Sequence, residues 1–305
     1  MADGSVVIES KLDNSGVDKD VSKLKSGFSK IGSIAGTAMK GVSAAVGAAA
    51  TAVVGLVTAS VNAYAEYEQL VGGVDTLFKN SSEKLQSYAD EAYKTAGLSA
   101  NEYMSTVTSF SASLLQSLGN DTEKAADYAN QAVIDMSDNA NKMGTDMELI
   151  QNAYQGFAKQ NYTMLDNLKL GYGGTKEEME RLLEDASKIS GIKYDISSFA
   201  DVTQAIHVMQ ESMGIAGTTA KEASTTIQGS LNSVKGAWNN LLVGMSNSNA
   251  DWDKLIQNLI DTVSTAGKNL LPVIQQALVG VSKLIDSLLP PLAQKIPELI
   301  VQILP

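Results

Sequence analysis

Apolar residues recur along this chain at spacings of three and four, the period of an amphipathic helix. KLQSYADEAYK sets Leu85, Tyr88, Ala89, Ala92 and Tyr93 on one predicted face, and TKEEMERLLEDASKI does the same with Met179, Leu182, Leu183, Ala186 and Ile189. Two starts carry capping boxes, Ser99 with Glu102 in SANE and Thr175 with Glu178 in TKEE. There a hydroxyl and a carboxylate would reciprocally satisfy free backbone donors. Glycine-bearing breaks at AGLSA, SLGND and GYGGT separate these helices. Near the start, SVVIESKLD predicts a short extended piece. Residues 18–40 predict a helix on Val21, Leu24, Phe28 and Ile31, with Lys23, Lys25, Lys30 and Lys40 giving it a basic side.

Two stretches depart from this alternation. Residues 41–65, GVSAAVGAAATAVVGLVTASVNAYA, contain no charge between Lys40 and Glu66. A bilayer span needs roughly 20 apolar residues, so the run is long enough. It is rich in Ala, Gly, Ser and Thr, however, and Leu56 is its only leucine. A helix buried in a bundle and a segment that inserts conditionally both fit. On the second alternative Val46, Val53, Val54, Leu56 and Val57 would supply the lipid-facing surface. The other stretch is residues 251–305, where all five prolines fall: Pro272, Pro290, Pro291, Pro297 and Pro305. Each would begin a new apolar helical segment or kink a running one. Residues 191–250, richer in Ser, Thr, Gly and Asn, predict looser helix.

Composition narrows the choices. The 305 residues carry a net charge of −11, and residues 66–188 alone hold 20 acidic against 10 basic side chains. With Arg181 the only arginine, phosphate-mediated nucleic-acid binding is disfavoured. No cysteine is present, which excludes disulfides and thiolate metal sites. The one histidine, His207 in AIHVMQ, has no carboxylate beside it in sequence and reads as a partly buried helix residue. GYGGTK lacks the ending of a phosphate loop and no strand precedes it. DMSDNANKMG, with Asp138 and Asn139, does not have calcium-loop spacing. No serine sits in a nucleophile elbow. These absences predict a protein that is not an enzyme, with no catalytic residue, cofactor or metal.

The stretches YAEYEQLVGGVDTLF, YADEAYKTAGLSANEYMSTVTSFSASLLQSLG and AADYANQAVIDMSDNANKMGTDMELIQNAYQGFAKQNYTMLDNLKLGYGGTKEEMERLL resemble the core region of phage tail tape measure proteins. The resemblance runs from about Tyr64 to Ala186, and TTIQGSLNSVKGAWNNLL at 225–242 continues it. It implies a virion protein lying along the tail lumen, assembled in the host cytoplasm, whose length sets tail length during viral tail assembly. The implied partners are the tail tube protein, tail assembly chaperones and further copies of the chain. The host membrane would join them during DNA ejection, when residues 41–65 would act as a transmembrane helix. A continuous helix of 305 residues would reach only about 460 Å, short for that family. The chain is therefore expected to be an N-terminal fragment or prophage-encoded.

The expected fold is all-α, an elongated assembly of short and medium helices with no compact single core. The expected divisions are a lead at 1–40, the uncharged run at 41–65, a core helical region at 66–190, a looser region at 191–250 and proline-punctuated apolar repeats at 251–305. A membrane-active, pore-forming helical protein built around residues 41–65 is the alternative function.

Overall fold

The computed structural model describes the backbone of residues 49–303 and the side chains of residues 56–280 and Lys283. The expected extended piece, the lead helix and residue Val46 lie outside the described residues. The chain divides into two units, Met1–Gly55 and Leu56–Pro305. Of the first, only the backbone of Ala49–Gly55, the opening of a helix, is described.

The fold is all-α, as the periodicity predicts, and the described residues contain no strand. In chain order the helices are α1 (Ala49–Phe78), α2 (Ser82–Thr95), α3 (Ala100–Thr108), α4 (Ser111–Ser117), α5 (Thr122–Met143) and α6 (Met147–Phe157). They continue with α7 (Lys176–Ser190), α8 (Phe199–Ser212), α9 (Thr218–Thr225), α10 (Ile227–Ser246) and α11 (Trp252–Ile303). A short 3-10 turn, Leu165–Leu168, sits between α6 and α7.

Local chemistry sets many of these boundaries. Ser99 accepts from the Glu102 backbone N–H and the Glu102 carboxylate accepts from Ser99 N–H, so the predicted box at α3 closes in both directions. At α7 only half of the predicted box forms. Thr175 accepts from Glu178 N–H, but the Glu178 carboxylate turns to Gly173 N–H and to Arg181. Helix α7 ends on Gly191 at φ 73°, a left-handed position that glycine occupies without a Cβ clash.

The faces predicted for α2 and α7 are the buried ones. Leu85, Ala89, Ala92 and Tyr93 of α2 are inside, as are Met179, Leu182, Leu183 and Ala186 of α7. Ile189, assigned to the same α7 face, is 55 % exposed because the helix end runs past the core. Residues from Val74 to Ile215 contribute to one buried cluster. Its centre is aromatic, with Phe110 edge-on to Phe199 at 5.9 Å and Tyr154, Phe157 and Tyr162 in succession at 5.8 and 6.1 Å. Few aromatics suffice because alanines on α5 (Ala125, Ala126, Ala129, Ala132) let neighbouring helices approach closely.

A second, smaller cluster joins α2, α10 and α11 through Tyr93, Ala237, Leu241, Ile256 and Leu259. Helix α10 is well formed despite its polar composition, and its small residues are its contact surface. A Cβ on Gly236 would lie 2.8 Å from the Tyr93 Cβ and 3.1 Å from the Leu98 carbonyl oxygen. Beside it, Ser233 donates to the Tyr93 carbonyl at 2.7 Å.

Helix α11 resolves the choice left open for the proline-rich end. One helix of 52 residues continues through Pro272, Pro290, Pro291 and Pro297. Each proline removes one backbone donor from the ladder, and the turns on either side keep theirs.

Substitution of Gly236 by Val should lower stability by about 1–3 kcal/mol, because the Tyr93 and Leu98 backbones on either side cannot retreat. Gly267→Ala on α11, where an added Cβ meets nothing within 4 Å, should instead stabilise by up to about 1 kcal/mol. Paired thermal or urea melts of the two variants check the contrast.

Candidate functional site

The densest chemistry lies on α5, where IDMSDNA buries four polar residues within five positions. Asp135, Ser137, Asp138 and Asn139 are all buried. Desolvating a carboxylate costs several kcal/mol unless donors replace its water, so the partners of each group define the site.

Asp135, on α5, accepts from Gln131 Nε2 one turn earlier at 3.0 Å and pairs with His207 Nδ1 on α8 at 2.8 Å. Gln131 Nε2 also lies 3.2 Å from that imidazole nitrogen. The other imidazole nitrogen, Nε2, is 3.5 Å from Glu211 Oε1. A ring between two carboxylates is best served by carrying both protons, since both nitrogens then donate. The Asp135 hydrogen bond holds His207 above its ordinary value of 6.5, against the opposing effect of burial. Burial in turn pushes the Asp135 carboxyl above its ordinary value of 3.8, with His207 pulling the other way.

Asp138, one turn further on, does different work. Its carboxylate accepts from Gly217 N–H at 2.5 Å and Thr219 N–H at 2.7 Å. Helix α9 begins at Thr218 behind Gly217, which has no side chain to cap it. Asp138 therefore caps α9 from 79 to 81 residues away, placing negative charge at the positive end of the helix. Asn139 donates to the Leu168 carbonyl at 2.9 Å and fixes the 3-10 turn against α5. One helix thus anchors α8, α9 and that turn.

These groups can hold a proton and lock helices together. His207 is paired with carboxylates on both nitrogens, and no hydroxyl is among its hydrogen-bond partners to act as a nucleophile. Among the described residues no group of three His, Asp or Glu side chains is placed to hold a metal ion. An open cleft of about 340 Å³ lies apart from this cluster, lined by Tyr67 of α1, Asn240 of α10 and Lys254 and Asn258 of α11. Asn240 is committed there, its Oδ1 accepting from Ala100 N–H at 2.8 Å.

Of the residues assigned to a membrane segment, Val46 lies outside the described residues. Val53 and Val54 lie on the backbone of α1 with side chains outside the described residues, while Leu56 and Val57 are exposed at 38 % and 53 %. Ser60, from the same uncharged run, is buried and donates to the Leu242 carbonyl at 2.8 Å. From Ala49, α1 continues without a break past Glu66, Glu68 and Asp75 to Phe78. Among the described residues no helix is long and apolar enough to cross a membrane, and residues 41–48 of the uncharged run lie outside them. The site missed by sequence was the pairing of His207 with Asp135, whose partners are 72 residues apart.

Comparison with family models, with curated proteins and with solved structures finds no match.

Both members of the Asp135–His207 pair have raised folded-state values, so the folded protein holds protons more tightly than the unfolded chain. Stability contributed by His207 is complete below 6.5 and is lost as pH rises through its higher folded value. Melts between pH 6 and 9 should show that decline, and His207→Leu should abolish it while costing about 3 kcal/mol by stranding a buried carboxylate. Asp135→Leu combined with His207→Leu should cost less than His207→Leu alone.

Proposed function

We propose that this chain is a structural protein of a phage tail, a tape measure that sets tail length and scaffolds the tail tube. In this role it acts through helical length and repeated contacts rather than through a reaction centre. The single observation that carries the proposal is α11. It is 52 residues long, about 78 Å at 1.5 Å per residue. From Leu270 to Gly280 every residue of it is exposed. A helix of that length and exposure is a linear element, which is what a molecular ruler requires.

Further support comes from the resemblance of residues 64–186 and 225–242 to the tape measure core region. The same residues build the body from which α11 departs. Net charge of −11 also suits a protein that shares a lumen with DNA without gripping it. The tail tube protein and assembly chaperones are the partners in this proposal, the tail lumen its location. It rests on length and does not depend on membrane insertion.

Duplicating about four heptads of α11 in frame, residues 271–298, should lengthen tails by about 42 Å if the added turns lie along the tail. Electron microscopy of particles carrying the duplication measures it. Particles of unchanged length would sink the ruler, whereas a change in that range establishes it.

A further inference from the structure

Seven buried side-chain atoms among the described residues have no hydrogen-bond partner, and four of them belong to just three side chains. These are Asn139 Oδ1, the Tyr154 hydroxyl, and both Oε1 and Nε2 of Gln210. All three side chains are 0 % exposed. Native interiors rarely leave a polar atom unmet, because it gives up its hydration and gains nothing in exchange.

The placement of the three converges. Asp135 and His207 meet at 2.8 Å. Asn139 follows Asp135 by one turn of α5, and Gln210 follows His207 by one turn of α8. The two helices run in the same sense. Ahead of the pair, Ala200 N–H reaches Ser117 shortly before α5 begins; beyond it, Asp138 reaches Gly217. Asn139 and Gln210 therefore advance together from the pair, on the faces that meet. Tyr154 joins them from α6. Its hydroxyl is held well above its ordinary value of 10.0 by burial and then by the charge of Asp135, with no hydrogen bond between the two. Ser137, also buried and unpartnered, lies two positions from Asp135 and so on the opposite side of α5.

We infer that Asn139, Tyr154 and Gln210 line one polar chamber between α5, α6 and α8, and that the chamber binds about one or two ordered water molecules. The unmet groups select the guest. Asn139 has already spent Nδ2 on the Leu168 carbonyl, which leaves it an acceptor. Gln210 offers a donor and an acceptor, and Tyr154 a hydroxyl. A cation would leave Gln210 Nε2 unmet, and an anion would leave both carboxamide oxygens unmet. Water donates and accepts, and a buried molecule of it makes roughly two to four hydrogen bonds. Solvent is then a structural part of this core, keying α6 to α5 and α8 where apolar contact alone has no direction. The inference concerns the folded body and stands whether or not the chain is a ruler.

Oxygen-17 relaxation dispersion of the full chain tests it. The wild type should show a slowly exchanging water component that Gln210→Met reduces, methionine keeping the length of the side chain without its polar atoms. Melts then give opposite signs for a wet and a dry chamber. In a wet one, Gln210→Met and Tyr154→Phe each take a partner from the bound water, and should lower the melting temperature by about 3 °C or more. In a dry one, each removes an unmet polar atom and raises it. Tyr154→Phe deletes a single oxygen and keeps the test available should Gln210→Met fail to fold. A higher melting temperature in either variant overturns the inference, as does identical dispersion from the wild type and Gln210→Met. A wild-type melting temperature that climbs in NaCl or KCl but not in choline chloride of the same ionic strength also overturns it, because the guest is then a cation.

Discussion

The body of this protein depends on satisfying two desolvated carboxylates on one helix. Asp135 and Asp138 are 1 % and 0 % exposed, and each would be costly where it sits without its donors. The remedies reach in opposite directions. Asp135 draws in the imidazole of α8, and Asp138 collects the backbone N–H groups that open α9. The polar requirement of α5 therefore dictates where the next two helices of the carboxyl-terminal half must lie. An apolar pair would have packed as tightly but would not have specified that arrangement, since hydrophobic contact is non-directional.

From that anchor the remaining order follows by steps. Once α9 is capped, its end at Thr225 delivers α10, whose first turn is capped by Thr226 accepting from Gly229 N–H at 3.0 Å. Helix α10 must then pass close to α2, and it can do so because Ser230, Ser233, Gly236 and Ala237 are small. Helix α10 in turn presents Leu241 to α11. Charge contributes less: ion pairs such as Lys84 with Asp127 at 2.7 Å lie at the surface, where each is worth little against salt and side-chain entropy.

Legibility in the sequence followed the range of the interaction. Helices with a clear apolar face, α2 and α7, could be read almost residue by residue, as could the box at Ser99, because those signals span four to fifteen positions. The role of DMSDNANKMG could not. Its carboxylates look like a polar turn in isolation, and the groups that justify burying them lie some 70 to 80 residues downstream. His207 was read as partly buried, which its side-chain exposure of 19 % agrees with, but its carboxylate partners had no local signature beyond Glu211 one turn away. Within residues 191–250, the small residues of α10 are what allows its close approach to α2.

The uncharged run and the proline-rich end invite the same interpretation from composition, that an apolar stretch without charge seeks a membrane. They differ in how the apolar residues are ordered. In α1 the run is diluted by small and polar residues, buries Ser60 against α10, and passes directly into a charged helix. In α11 leucine, isoleucine and valine hold one register for three heptads, from Leu271 to Leu292, and the prolines stay off it. A lipid-facing helix gains nothing from a fixed register, because hydrocarbon is equivalent on every side. A helix that meets another helix does gain, because each apolar residue must find its place between four of the partner's. The two stretches thus differ in periodicity more than in mean hydropathy.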